Sequence, residues 1–204
     1  MTVRFESPSV GTHAKVYYKE HGSSDNHKIN NAELDTGNSR FMFATIENLK
    51  ANQRYDYYVE NILGSQYYKT KTFHFTTYPD ENSATDVFHF LAISDTQNNS
   101  TYGVLRNIAE GVADYHCEEM YNCDKKLRGI TISGDVVNHG GRLNQWRRDF
   151  FGQLLEITPY VPLIPATGNH DYSEDAELSN YRNMFMLPKN GENERYYALK
   201  ISNM

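Results

Sequence analysis

The tightest constraint on the fold is a set of three apolar runs, each of which stops at residues able to donate oxygen or nitrogen. The central one, Gly129-Ile130-Thr131-Ile132-Ser133, leads into Gly134-Asp135 and on to Gly140. It is β-branched and lacks alternation, the pattern of a strand buried on both faces. Gly134 permits a sharp turn, so Asp135 projects from the carboxyl end of that strand, where open α/β sheets bind their ligands. Phe88–Ser94 delivers Asp95 and Gln97 in the same way, and Val161–Thr167 delivers Gly168-Asn169-His170-Asp171. Between the runs, Val104, Leu105, Ile108 and Val112 recur at helical spacing within Tyr102 to about Tyr115. Trp146, Phe150, Leu154 and Ile157 do so within Asn144–Ile157, and Trp146 and Phe150 are read as core rather than as ligand contacts. The rhythm strand, helix, strand, helix, strand predicts parallel strands joined by crossovers.

The chain ahead of these runs has a different rhythm. Thr2–Glu6, His13–Glu20, Arg40–Ile46, Arg54–Glu60 and Lys71–Thr77 are rich in β-branched and aromatic residues and separated by turn-forming clusters, with no helical period. This predicts a small β-sandwich over residues 1–78, a polar linker over 79–86 and an α/β domain over 87–204. Within the first part, Ile46-Glu47-Asn48-Leu49 through Arg54-Tyr55-Asp56-Tyr57 resembles the fibronectin type III pattern. The resemblance makes Tyr55 the tyrosine that hydrogen-bonds back to backbone at a strand corner, and it implies a further strand ahead of Met1.

Composition excludes some functions. A net charge of -6, with Lys125-Lys126 and Arg128, and Arg147-Arg148, only short runs read as solvated faces, gives no footprint for nucleic acid. No segment approaches the roughly 20 apolar residues of a membrane span, and residues 1–5 show no apolar stretch of a signal peptide. Cys117 and Cys123 sit close enough in sequence to close a local disulfide, which would suggest export, or to remain two unpaired thiols. Two cysteines with a single neighbouring histidine, His116, make a poor zinc site.

If the sheet brings Asp95, Asp135, Asn169 and His170 together, one carboxylate can bridge two cations while the other oxygens take one each. Two cations about 3.5–4 Å apart clamp a phosphoryl group and activate water for in-line attack. On these residues the chain resembles the calcineurin-like metallophosphoesterases: Asp95-Thr96-Gln97, Gly134-Asp135 with Gly140, and Gly168-Asn169-His170-Asp171 are similar to that family's first three signatures, in order and strand context. The resemblance implies that Asp95 binds the first metal, Asp135 bridges both and Asn169 binds the second through its amide oxygen. It implies that His170 faces the phosphoryl group, with Asp171 supporting the imidazole. A β-sandwich followed by this half is most similar to the purple acid phosphatases. Two positions depart from the pattern: Gln97 stands where family members carry histidine, and Asn138 where the purple enzymes carry a tyrosine ligand. Gln97 either coordinates through its amide oxygen or hydrogen-bonds a metal-bound water, and oxygen-rich ligation tilts preference toward manganese, magnesium or ferrous iron. His139, beside the bridging motif, is read as a loop residue.

The expected function is therefore metal-dependent hydrolysis of a phosphate monoester or diester by a metal-bound hydroxide. Two divalent or trivalent ions, drawn from Fe, Mn, Zn or Mg, are the expected cofactors, and a phosphorylated small molecule or ester is the expected substrate. The rival is a non-catalytic binding or adhesion protein on a degenerate phosphoesterase fold. His170 is the last histidine, whereas the family takes further histidine ligands beyond the third signature. These residues are thus expected to be a fragment with little activity alone, ending in a strand hairpin over residues 195–204. A secreted or periplasmic location follows only from the resemblance, and the oligomeric state is open.

Overall fold

The computed structural model describes residues 1–9, 13–35, 38–81, 89–97, 103–117, 120–192 and 194–202. The chain divides into two compact units: residues 1–83 with 183–186 and 201–203, and residues 84–182 with 187–200 and Met204. The expected linker falls largely outside the described residues.

The first unit holds β1 (Thr2–Glu6), β2 (His13–Glu20), β3 (Lys28–Asn31), β4 (Glu33–Asp35), β5 (Asn38–Thr45), β6 (Arg54–Leu63), β7 (Gln66–Lys69) and β8 (Phe73–Thr76). They form two antiparallel sheets, ordered β1-β5-β4 and β3-β2-β6-β7, with β8 also paired to β6. Alternation decides which side chains go inward. Val16 and Tyr18 on β2, Tyr55, Tyr57 and Val59 on β6, and Phe75 on β8 share one core with Val3 and Ala44 of the other sheet. Each such burial contributes about 1.5–3 kcal/mol. Tyr55 is 4% exposed, and its hydroxyl accepts the backbone N–H of Lys50 at 3.0 Å, so the corner bond expected of it is present. Three short strands, β3, β4 and β7, went unanticipated. The mostly exposed residues of β3 and β7 carry no buried alternation, and pairing with a longer neighbour is what makes β3, β4 and β7 strands.

In the second unit, β9 (His89–Ile93), β10 (Leu127–Ser133) and β11 (Leu163–Ala166) form a parallel sheet with β10 in the middle. Helix α1 (Val104–Cys117) connects β9 to β10 and buries Leu105, Ala109, Ala113 and Cys117. Its end is tied to a 3-10 turn, Met120–Lys125, by a Cys117–Cys123 disulfide, which resolves the two readings of that pair. Between β10 and β11 the helical stretch runs through α2 (Leu143–Gln145), a π-helical segment (Trp146–Phe151) and α3 (Gly152–Leu154). Trp146 and Phe150 are fully buried, as core residues should be. Helix α4 (Ser179–Met184) follows β11.

The stretch 195–202 forms no strand. Without a neighbouring strand its backbone polar groups find local partners: Asn190 accepts the Ala198 N–H through Oδ1 at 3.0 Å and donates through Nδ2 to the Ala198 carbonyl at 2.7 Å. The Tyr197 and Tyr181 hydroxyls both donate to the Pro165 carbonyl of β11, at 2.7 and 2.9 Å. No described helix is long and apolar enough to cross a membrane.

Candidate functional site

The parallel register brings the carboxyl ends of β9, β10 and β11 side by side. Asp95 follows β9 and its backbone N–H donates to the Gly134 carbonyl beyond β10 at 3.2 Å. The Thr96 hydroxyl donates to the Val136 carbonyl at 2.9 Å, so two links join the ends of β9 and β10. Asp95 and Asp135 both take left-handed backbone, with φ of 55° and 51°. Residues other than glycine are held there at a cost of about 1–3 kcal/mol each, a form of strain that clusters at functional sites.

The junction of β10 with β11 is closer still. A Cβ placed on Gly168 would lie 2.1 Å from Asp135 Oδ1 and 2.4 Å from Asp135 N, so only glycine fits beside that carboxylate. The His170 backbone N–H donates to Asp135 Oδ1 at 2.9 Å. Asn169, exposed between these two contacts, is carried to the same edge. Asp95, Asp135, Asn169 and His170 therefore come from three adjoining strand ends and do not scatter over the surface.

Gln97 lies just beyond Asp95 with its Oε1 buried and without a hydrogen-bond partner among the described residues. A buried acceptor left unmade costs about 1–3 kcal/mol, and a hydrogen-bond donor or a cation would relieve it. Two carboxylates and two amides supply only hard oxygen donors, the chemistry that fits a divalent cation. Among the described residues no group of three or more His, Cys, Asp and Glu side chains is gathered as a cation site.

His170 and Asp171 are held differently from expectation. The imidazole Nδ1 faces the Asn138 carbonyl at 3.0 Å, and a carbonyl can only accept, so Nδ1 carries the hydrogen. The Asp171 carboxylate does not support the ring directly. It is fully buried and accepts three backbone N–H groups: Val136 and Val137 at Oδ1, 3.0 and 3.2 Å, and Gly168 at Oδ2, 2.9 Å. Burial pushes its carboxyl above the ordinary range; the three N–H groups pull back, and the Asp135 charge adds to the upward push. A short acid there fastens the loop after β10 to the loop after β11, which explains why it cannot also reach the imidazole.

Sequence reasoning missed the residues that brace this pair of loops. The Gly140 N–H donates to the His170 carbonyl at 3.1 Å, and the Gly140 carbonyl accepts Trp146 Nε1 and Asn180 Nδ2, both at 2.8 Å. A Cβ on Gly140 would meet the Asp171 carbonyl at 1.7 Å. Gln145 Oε1 accepts the His139 N–H at 2.8 Å. Ser94 Oγ donates to Asp95 Oδ2 at 2.5 Å. Most of these partners are backbone groups, which leave no mark in a sequence. His139 is half-buried, with Nδ1 3.1 Å from Ser173 Oγ and 3.3 Å from Glu174, so it is less free than a plain loop residue. Glu174 in turn is clasped at both oxygens by Arg142, whose hydrogen bonds, aided by its charge, hold the carboxyl below its ordinary range.

The profile of the calcineurin-like phosphoesterases matches residues 88–203, more than half of the chain. The chain belongs to the calcineurin-like phosphoesterase family. No curated protein matches the sequence. Among solved structures, the purple acid phosphatase PPD1 from yellow lupin (Lupinus luteus) seeds superposes over 98% of this chain and 40% of its own, with a TM-score of 0.76 and 16% identity. A structure of PhoD superposes over 94% of this chain and 42% of its own, with a TM-score of 0.63 and 12% identity. The chain thus spans about two fifths of the length of each. At such identities the likeness is one of fold, and the chain has the α/β arrangement of the calcineurin-like phosphoesterase family in its second unit.

Proposed function

We propose that this chain forms part of a metal-dependent phosphoesterase that hydrolyses a phosphate monoester or diester. On this reading residues 1–78 are a fibronectin type III-like sandwich, 79–86 a linker and 87–204 the calcineurin-like phosphoesterase domain. The observation that carries the proposal is the meeting of Asp95 and Asp135, both in left-handed backbone, at adjoining ends of parallel strands.

The residues that would hold the metals are Asp95, Gln97, Asp135 and Asn169, with Asp135 placed between the other strand ends. Bound cations would neutralise phosphoryl oxygens and make an attacking water more acidic. His170, with its hydrogen fixed on Nδ1 by the Asn138 carbonyl, has Nε2 as the atom that holds or gives a proton to the departing oxygen. Asp171 acts as a positioning residue, since it sets the backbone on both sides of His170. The disulfide suits an oxidising compartment, which supports a secreted or periplasmic location.

Hydrolysis of an aryl phosphate by the whole enzyme of which this chain is proposed to form part, measured after chelation and after restoring Mn²⁺, tests the reading. The expected result is activity that returns with metal and is absent in Asp135→Ala. Metal-independent turnover, or full activity in that variant, would overturn it.

A further inference from the structure

One sheet of the first unit turns apolar side chains toward solvent. Alternation sends Ala14, Val16 and Tyr18 of β2 and Tyr55, Tyr57 and Val59 of β6 into the core, so Lys15, Tyr17 and Lys19, and Tyr58, Glu60 and Ile62, stand on the outer face. The register sets Ile29 of β3 beside Tyr17, Tyr17 beside Tyr58, and Tyr67 of β7 beside Ile62. Tyr17 and Tyr58 stack at 4.8 Å, and the Lys69 ammonium lies 3.8 Å from the centre of the Tyr58 ring. Cross-strand stacking stabilises a sheet and accounts for those two rings. It does not account for Ile29, Ile62 and Tyr67, which are 51%, 38% and 57% exposed on the same face. The Tyr67 and Tyr17 hydroxyls meet at Glu60 and join these groups into one patch, the kind of exposed apolar surface that marks a binding site.

The charges on this face are arranged unevenly. Both carboxylates are already engaged: hydrogen bonds to Glu60 hold the Tyr17 and Tyr67 phenols above their ordinary range, and Asp56 pairs with His21 at 2.9 Å. Lys69 rests on a ring and Lys19 donates to the Ser23 carbonyl at 3.1 Å, contacts that leave each positive charge in place, and Lys15 is exposed. His27, edge-on to Tyr58, registers the field, since burial and then the Lys19 and Lys69 charges hold its imidazole below the ordinary range. On a chain of net charge -6, the groups this face offers to solvent are aromatic, aliphatic and cationic.

That combination fits an acidic polysaccharide. A pyranose ring carries C–H groups over its flat faces and hydroxyls and carboxylates at its edge, which matches apolar side chains interleaved with ammonium groups. Adjacent strands lie about 4.8 Å apart, close to the rise of one sugar unit in an extended chain. A polymer laid across β3, β2, β6 and β7 therefore meets successive strands with successive units. A second copy docking through the same face would instead set lysine against lysine.

We propose that the outer face of the β3-β2-β6-β7 sheet binds an acidic polysaccharide, with Ile29, Ile62 and Tyr67 against sugar C–H groups and Lys15 and Lys69 on uronate carboxylates. This face belongs to the first unit and is independent of the strand ends that carry the phosphoesterase reading.

The test is titration of the protein with polygalacturonate oligomers, read by calorimetry and by amide shifts in nuclear magnetic resonance. Saturable binding is expected, with shifts gathered on β2, β6 and β7, and it should weaken severalfold as salt rises from about 0.05 to 0.5 M. Lys15→Gln combined with Lys69→Gln should weaken it about tenfold, the scale of two exposed charge contacts. Tyr67→Ser should weaken it without changing the salt dependence. Lys15→Glu, a change at an exposed position, carries the test should the double variant fail to fold. No binding, shifts on another face, neutral galactan oligomers bound as tightly, or unchanged affinity in the lysine variants overturns the proposal. Polyglutamate of equal charge bound as tightly as polygalacturonate also overturns it and assigns the face to an acidic peptide.

Discussion

Replacing Asp171 should cost this protein a large part of its stability, and the structure sets the order of the effects. The side chain is 0% exposed and its two oxygens satisfy three backbone N–H groups on two loops. Alanine would leave those three donors buried and unpaired. Hydrogen bonds to a charged group contribute about 1.5–3 kcal/mol each and are not additive, so Asp171→Ala is expected to lose about 4 kcal/mol. Asparagine keeps the shape but offers one oxygen. With that oxygen toward Val136 and Val137, its NH2 faces the Gly168 N–H, donor against donor, for a loss of about 1–3 kcal/mol. Against a domain stability of about 5–15 kcal/mol, the alanine variant stands near the edge of folding. Trp146, the only tryptophan, is fully buried and reports on the second unit by fluorescence. In urea, with a slope of about 2 kcal/mol per molar, the midpoint should fall by about 2 M for alanine and by about 0.5–1.5 M for asparagine. An alanine variant within about 0.5 kcal/mol of the parent, the scatter of a neutral surface change, or one more stable than the asparagine variant, would refute the reasoning.

Other outcomes follow from single contacts. Gly168→Ala would drive a methyl group into Asp135 Oδ1, so it should destabilise the second unit and weaken Mn²⁺ binding together, read by the same urea titration and by calorimetry. Tyr55→Phe removes the acceptor of the part-buried Lys50 N–H and should cost about 1 kcal/mol by circular dichroism in urea. Reducing the Cys117–Cys123 bridge, whose sequence separation is 6, should lower stability by about 2 kcal/mol on the chain-entropy estimate, compared by urea midpoint with and without reductant. Burial raises the Tyr197 phenol from 10.0 to about 12. A group raised in the folded state contributes its stability in full below its unfolded value and loses it as pH climbs through the folded one. Stability should therefore fall between pH 10 and about 12, and Tyr197→Phe should flatten that fall. An unchanged alkaline profile in the variant would count against the burial of this hydroxyl.

The legible part of the fold was the part written in side-chain periodicity. The unbroken β-branched run at 129–133 and the spacing of Leu105, Trp146 and Phe150 placed the parallel strands and the two helical stretches to within a few residues. Strands β3 and β7 were invisible because their residues bury little and owe their conformation to a partner strand. The stretch 195–202 misled in the opposite direction: its aromatic residues suit a strand, but no described strand pairs with it.

For the site, the sequence by itself determined which chemistry is present: two aspartates, two amides and a histidine, each placed by a glycine or an apolar run at the end of a strand. Those identities are fixed by residue type, and residue type is all that ligand hardness and proton capacity depend on. Only the tertiary structure decided how they are held. The three-way use of Asp171, the fastening of His170 Nδ1 to the Asn138 carbonyl and the burial of Gln97 Oε1 all depend on loops distant in sequence meeting at one edge. Most of those bonds end on backbone atoms, which every residue carries alike, so no arrangement of letters could have announced them.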